Sequence, residues 1–160
     1  MMQRSEKTIF TIGTSTRSLQ EFVYLICNFG ITLIIDIRRF PKSTRYPYFN
    51  KESLARNAKT HGLGYVWLGE LLGGYRKGGY EAYRTSSEYL EGLEKLENLG
   101  QKKVSTLVCA ELLPWKCHRM QVSRDLEARG WKVIHIIDEK RTWEPSRGQT
   151  QTGFPFPKNR

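Results

Sequence analysis

The residues best suited to chemistry stand together in Cys109-Ala-Glu-Leu-Leu-Pro-Trp-Lys-Cys-His-Arg119. Glu111 can act as acid, base or nucleophile, and His118 can carry a proton near neutral pH. Cys109 and Cys117 are candidate catalytic thiols, and Cys117 near a helix start is suited to ionise. Arg119 carries a guanidinium fork that matches the oxygens of phosphate. Singly, each has a plain reading: a cysteine at a strand end packs as a small core residue, and an early helical arginine is solvated. Together they are the main functional lead.

Four chemistries compete for this cluster. A cysteine phosphatase needs an arginine six residues after its thiol, and here that position holds Trp115. Zinc needs about four ligands, whereas adjacent side chains such as Cys117 and His118 diverge by roughly 100° on a helix. No metal site and no cofactor are therefore expected. A redox Cys109–Cys117 pair is chemically reasonable, though its spacing is not that of a recognised redox motif. The fourth reading, nucleotide or nucleic-acid chemistry, fits more of the chain. Arg17, Arg38, Arg39 and Arg119 are candidate phosphate ligands. Asp36, at the end of an apolar strand, sits where many nucleotide-binding folds place a ribose-binding acid. Phe40, Tyr46, Tyr48 and Phe49 interleave with Arg39, Lys42, Arg45 and Lys51. That mixture suits single-stranded nucleic acid, and it equally suits rings that pack a loop onto the domain. Neither GxGxxG nor GxxxxGK[ST] occurs.

The elements that must position these residues follow from periodicity. Apolar, β-branched runs at 8–12, 31–35, 65–68, 103–108 and 132–137 read as strands. Between them lie helical patterns. One opens at the capping box Ser18-Leu-Gln-Glu21 and stops at Gly30, with Cys27 in its core. The next follows Asn50, with Phe49 and Leu54 as a hydrophobic staple, and stops at Gly62. A third opens at Thr85-Ser-Ser-Glu88 and stops at Gly100, and the last runs to Gly130. The glycine-rich stretch Gly69 to Arg84 reads either as a basic lid or as a plain surface loop.

Five strands alternating with helices predict an α/β, Rossmann-like three-layer sandwich. The sheet is expected to be mostly parallel, in the order 3-2-1-4-5, with helices on both faces. Gly13, Ser15 and Arg17, then Asp36, Arg38 and Arg39, then Cys109 to Arg119 would leave the carboxyl ends of strands. Ligands bind at that edge, where strand order reverses. Residues 1–139 read as one domain and 140–160 as a basic, loosely ordered tail, in which Trp143 or Phe154 could dock.

Composition narrows the partners. The 160 residues carry a formal net charge of +10, which calls for a polyanionic ligand, nucleic acid or nucleotide first. No apolar run approaches the roughly 18 residues of a membrane helix, and no signal-peptide core follows the first methionine. Three cysteines at irregular spacing argue against a disulfide scaffold. A cytoplasmic protein without membrane attachment is expected.

Thr11-Ile-Gly-Thr-Ser-Thr-Arg17, Asp36-Ile-Arg-Arg-Phe-Pro41, and Cys109-Ala-Glu111 with Cys117-His-Arg119 also resemble the signature blocks of the domain-of-unknown-function 488 (DUF488) family. The resemblance extends to about Ile137. It implies a compact intracellular α/β domain and no established activity. Family members usually carry histidine after the first glycine, where this chain has Thr14, so a mechanism needing that histidine is not expected. The residues together favour an enzyme, a hydrolase or transferase acting at a phosphoester or glycosidic bond of a nucleotide or nucleic acid. The alternative is a non-catalytic nucleic-acid-binding module that uses the same basic edge.

Overall fold

Strand-forming runs in the sequence become the strands of a single sheet in the computed structural model, which describes residues 7–145. They are Thr8–Gly13 (β1), Leu33–Asp36 (β2), Gly64–Trp67 (β3), Ser105–Cys109 (β4) and Lys132–Ile136 (β5), with Thr142–Trp143 (β6) added at one edge. All neighbours pair in parallel except β5 and β6. β2 and β4 are buried at every position, as strands covered on both faces must be.

The sheet order is β3-β2-β4-β1-β5-β6, which corrects the expected order 3-2-1-4-5 and adds a sixth strand. β1 and β4 have exchanged places. Consecutive strands lie side by side only as a tendency. The uniformly buried β4 takes the centre, paired from Leu33↔Ser105 to Asp36↔Val108 on one side and from Phe10↔Thr106 to Gly13↔Cys109 on the other. β1, whose Thr8 and Phe10 are only half-buried, lies between β4 and β5. The carboxyl end of β4 is thus flanked by those of β2 and β1.

The expectation of helices on both faces holds. Leu19–Asn28 (α1) is capped by Ser18, whose Oγ accepts the Glu21 amide at 3.0 Å. With Lys51–Thr60 (α2) it covers one face, where Phe22, Leu25, Ile26 and Leu54 meet Ile12, Ile34, Val108 and Ile136. After β3 come two short helices, Gly69–Leu72 (α3) and Tyr80–Tyr83 (α4), so the glycine-rich stretch is not a bare loop. Ser87–Lys102 (α5) and Arg119–Ala128 (α6) cover the other face, where Leu93, Leu96, Val122 and Leu126 meet Ile9, Leu33, Ile35, Leu107 and Val133. Each such apolar side chain contributes about 1.5–3 kcal/mol on full burial. No helix among the described residues is long and apolar enough to cross a membrane.

Several local expectations shift. Ser86, not Thr85, caps α5, its Oγ accepting the Tyr89 amide. Gly100 does not end that helix, which continues to Lys102; its missing Cβ instead makes room for Trp131. Cys27 is exposed, not core. Trp143 does dock, by pairing β6 against β5 and stacking on His135 at 5.3 Å. Phe154 and most of the expected tail lie outside the described residues.

The pairing of β1 with β4 brings two backbones into close approach at the carboxyl edge. The Thr14 amide donates to the Cys109 carbonyl and the Ser15 amide to that of Ala110, both at 2.8 Å. A Cβ on Gly13 would lie 1.8 Å from the Glu111 carbonyl oxygen. Gly13→Ala is therefore expected to cost at least about 3 kcal/mol in urea denaturation. Gly62→Ala, at φ +77 with nothing within 4 Å, should cost only about 1 kcal/mol. Equal small losses would contradict the crossing.

Candidate functional site

The connection from β4 to α6 is built around a buried cation. After Cys109 the chain passes through Glu111 and a 3-10 turn at Pro114–Lys116, and His118 occupies the N-cap of α6. Arg119 is fully buried. Its Nη2 donates to the carbonyls of Glu111 (3.0 Å) and Leu112 (2.8 Å). Its Nε and Nη1 have no hydrogen-bond partner among the described residues. A buried charge so sparsely satisfied favours a negative group nearby, and the Arg119 charge lowers the pKa of the Cys109 thiol.

Cys109 Sγ and Cys117 Sγ lie 2.9 Å apart. Cys109 is buried and Cys117 half-buried, and the Arg119 amide donates to Cys117 Sγ at 3.4 Å. The sulfurs titrate as a pair. Burial pushes the Cys109 thiol up, but the hydrogen bond from Cys117, the Arg119 charge and the Glu111 backbone outweigh it and bring it down to about 7. The hydrogen bond to Cys109 and burial push Cys117 well up. The pair thus loses one proton easily and holds the other.

His118 stands beside the thiols. Its Nε2 lies 3.1 Å from the Ile37 carbonyl, and because a carbonyl only accepts, that nitrogen is assigned the proton. Burial lowers the His118 pKa, and the charges of Arg119 and Arg76 lower it further against the pull of the Ile37 carbonyl. A neutral ring leaves Nδ1 as an acceptor, and Nδ1 would lie 3.2 Å from a Cβ at Gly74. Tyr80 packs edge-on against the ring at 5.3 Å.

These groups line one cavity of about 350 Å³. Its buried and half-buried lining includes Cys109, Cys117, His118, Gly74, Tyr80 and Arg39, and its exposed lining includes Glu111, Lys116, Phe40 and Tyr75. Arg39 Nη1 donates to the Tyr75 carbonyl at 2.8 Å, and its guanidinium lies 5.3 Å from the Phe40 ring. Among the described residues no group of three or more His, Cys, Asp and Glu side chains could hold a metal ion.

Other candidates are spent on the scaffold. Arg17 gives Nε to the Gly13 carbonyl and Nη2 to that of Ile137, at 2.8 and 2.9 Å. Gly13, Ser15 and Arg17 do not line the cavity; Ser15, at φ +47, is tied to Ala110 instead. Asp36 is fully buried and accepts the Arg38 amide, a two-pronged bond from Arg38 Nε and Nη2 at 2.8 Å each, and the Tyr65 hydroxyl at 2.6 Å. Burial would lower the Arg38 pKa, but Asp36 raises it. Burial and Asp36 together push the Tyr65 hydroxyl up. Arg38 reaches the cavity lining with its guanidinium turned away to Asp36 and the Phe49 carbonyl. Tyr46, Tyr48 and Phe49 pack ring against ring, leaving Phe40 as the member of that aromatic set on the cavity.

Tyr75, Tyr80, Gly74 and Lys116 were not singled out from the sequence. The glycine-rich stretch that holds Gly74, Tyr75 and Tyr80 left a basic lid and a plain surface loop equally open. The two tyrosines embedded in it were the missing clue, and Tyr75 adopts φ +60, rare for a bulky residue.

In Cys27→Ser protein, the rate of alkylation of the pair by iodoacetamide is expected to rise through about pH 7, and Arg119→Met should move that inflection upward. An inflection at the ordinary thiol value of about 8.5 in the unsubstituted pair would contradict this geometry.

Comparison with known proteins agrees with the motif blocks. The family model described as domain of unknown function DUF488 matches residues 18–126, which takes in α1 through most of α6. The Thr11–Arg17 block, with Thr14, precedes the matched region. No curated protein and no solved structure matches the chain. The match spans more than half of the sequence and all three of the segments that build the cavity, and the chain belongs to the DUF488 family.

Proposed function

We propose that the protein is an enzyme acting on a nucleotide or nucleic acid, a hydrolase or transferase working at a phosphoester or glycosidic bond in this cavity. One observation carries the reading: a single cavity of about 350 Å³ brings together a carboxylate, a neutral imidazole, a thiol pair, two cations and exposed rings. Small-molecule sites of this kind begin at roughly 300 Å³, so a single nucleotide unit fits. Arg39 and Lys116 supply charge for phosphate oxygens. Phe40 and Tyr75, with centroids 6.1 Å apart, offer ring faces to a base. His118 Nδ1 accepts a proton, and Glu111, exposed at the mouth, acts as acid, base or nucleophile. The +10 charge draws such substrates in. A cytoplasmic location suits them.

The exposed Phe40 and Tyr75 beside Arg39 favour a second reading as well, a binding module for single-stranded nucleic acid without turnover.

Turnover separates the two. With nucleotides and short single-stranded oligonucleotides, Glu111→Gln is expected to lower turnover at least about a hundredfold while binding survives. Arg39→Ala or Lys116→Ala should weaken binding by about tenfold, and Arg56→Ala, on the exposed face of α2, should not. Undiminished turnover in Glu111→Gln would sink the catalytic role of that residue. Binding with no turnover on any substrate would establish the module.

A further inference from the structure

We propose that Cys109 and Cys117 form a thiol–disulfide exchange site whose substrate is a low-molecular-weight, carboxylate-bearing disulfide entering the cavity. This activity does not depend on the phosphate chemistry proposed above.

Proximity is the first support. The sulfurs lie 2.9 Å apart as free thiols, so closing a bond between them needs only a small further approach. Their separation in sequence matches no familiar dithiol motif. The pairing is made by the fold, because Arg119 ties the intervening loop back through the carbonyls of Glu111 and Leu112. The second support is access. Both cysteines line the cavity, but Cys109 is 1 % exposed while Cys117 is half-buried. A substrate in the cavity therefore meets Cys117, with Cys109 behind it. The third is charge. The buried Arg119 guanidinium, with Nε and Nη1 unpartnered among the described residues, favours a thiolate at the pair, and the Arg119 amide points at Cys117 Sγ. Cys117 holds its proton 2.9 Å from the Cys109 sulfur, which can take that proton up as Cys117 attacks. Arg39 and Lys116 line the same cavity and match carboxylates on the substrate.

The exchange balances in two steps. Cys117 passes its proton to the Cys109 thiolate as its sulfur attacks one sulfur of the substrate disulfide, forming a mixed disulfide and expelling the first small thiolate. Cys109, losing its proton to solvent, attacks Cys117 Sγ, forms the Cys109–Cys117 disulfide and expels the second small thiolate, and the two products take up the protons. The substrate gains two electrons and the dithiol loses two. Cys27, exposed on α1 and remote in sequence, is an internal comparison. It can form a mixed disulfide and has no neighbouring sulfur among the described residues to resolve it.

The test treats full-length protein anaerobically with glutathione disulfide, then counts thiols and maps linkages by mass spectrometry. The expected result is loss of both pair thiols, with the Cys109 and Cys117 peptides linked to each other and two glutathione molecules released. Cys109→Ser should accumulate glutathione on Cys117. Lys116→Ala should slow the reaction with glutathione disulfide more than that with uncharged hydroxyethyl disulfide. Recovery of the unsubstituted protein with both pair thiols intact, or with glutathione on Cys27 alone, would overturn the site, whatever the variants do. Equal slowing by Lys116→Ala with both disulfides would overturn the preference for a carboxylate-bearing substrate.

Discussion

The site depends on the buried guanidinium of Arg119. A cation with no exposed surface is costly to bury unless its surroundings answer it. Here the answer comes from the loop that precedes it: the carbonyls of Glu111 and Leu112 bind one end of the fork, and the thiol pair supplies the group that its charge can ionise. One interaction thereby ties the loop from β4 to α6 back beside the thiol pair and favours an ionised Cys109. Removing it would free the loop and take away one of the influences that lower the Cys109 thiol.

The sheet order serves the same end. With β4 at the centre, its carboxyl end is flanked by the ends of β2 and β1, and the two flanks do different work. The β1 side is closed: Thr14 and Ser15 bond to the carbonyls of Cys109 and Ala110, and Gly13 has no Cβ because the Glu111 carbonyl occupies that space. The β2 side is open, and Arg39 and Phe40 line the cavity there with Tyr75 and Tyr80 from the stretch after β3. The expected order would have separated β4 from β2 and left this cleft without one of its walls.

What the sequence disclosed and what it hid differ by range. Strands and long helices were legible because apolar period and caps such as Ser18 are local. The places of β1 and β4 were not, because adjacency of consecutive strands is only a tendency. Cys109, Cys117, His118 and Glu111 were legible as reactive types within a short connection. That the sulfurs touch depends on how the loop closes, and spacing does not show it. Arg17, Arg38 and Asp36 are engaged within the scaffold for a chemical reason. A guanidinium fork fits carbonyls and carboxylates as well as it fits phosphate, so Arg38 found Asp36, and Arg17 found Gly13 and Ile137. Tyr75 and Tyr80 escaped notice because tyrosines near glycines read as ordinary loop residues until the fold turns them toward His118 and Phe40.

If the cavity beside β4, on its β2 side, is where the protein meets its ligand, nucleotide soaked into a crystal should occupy it. A crystal structure after soaking with a mixture of nucleoside monophosphates tests this most directly. Phosphate density is expected against Arg39 and Lys116, with the base against Phe40 or Tyr75. Nucleotide bound instead at the Gly13–Arg17 edge, with the cavity lined by the thiol pair unchanged, would contradict it.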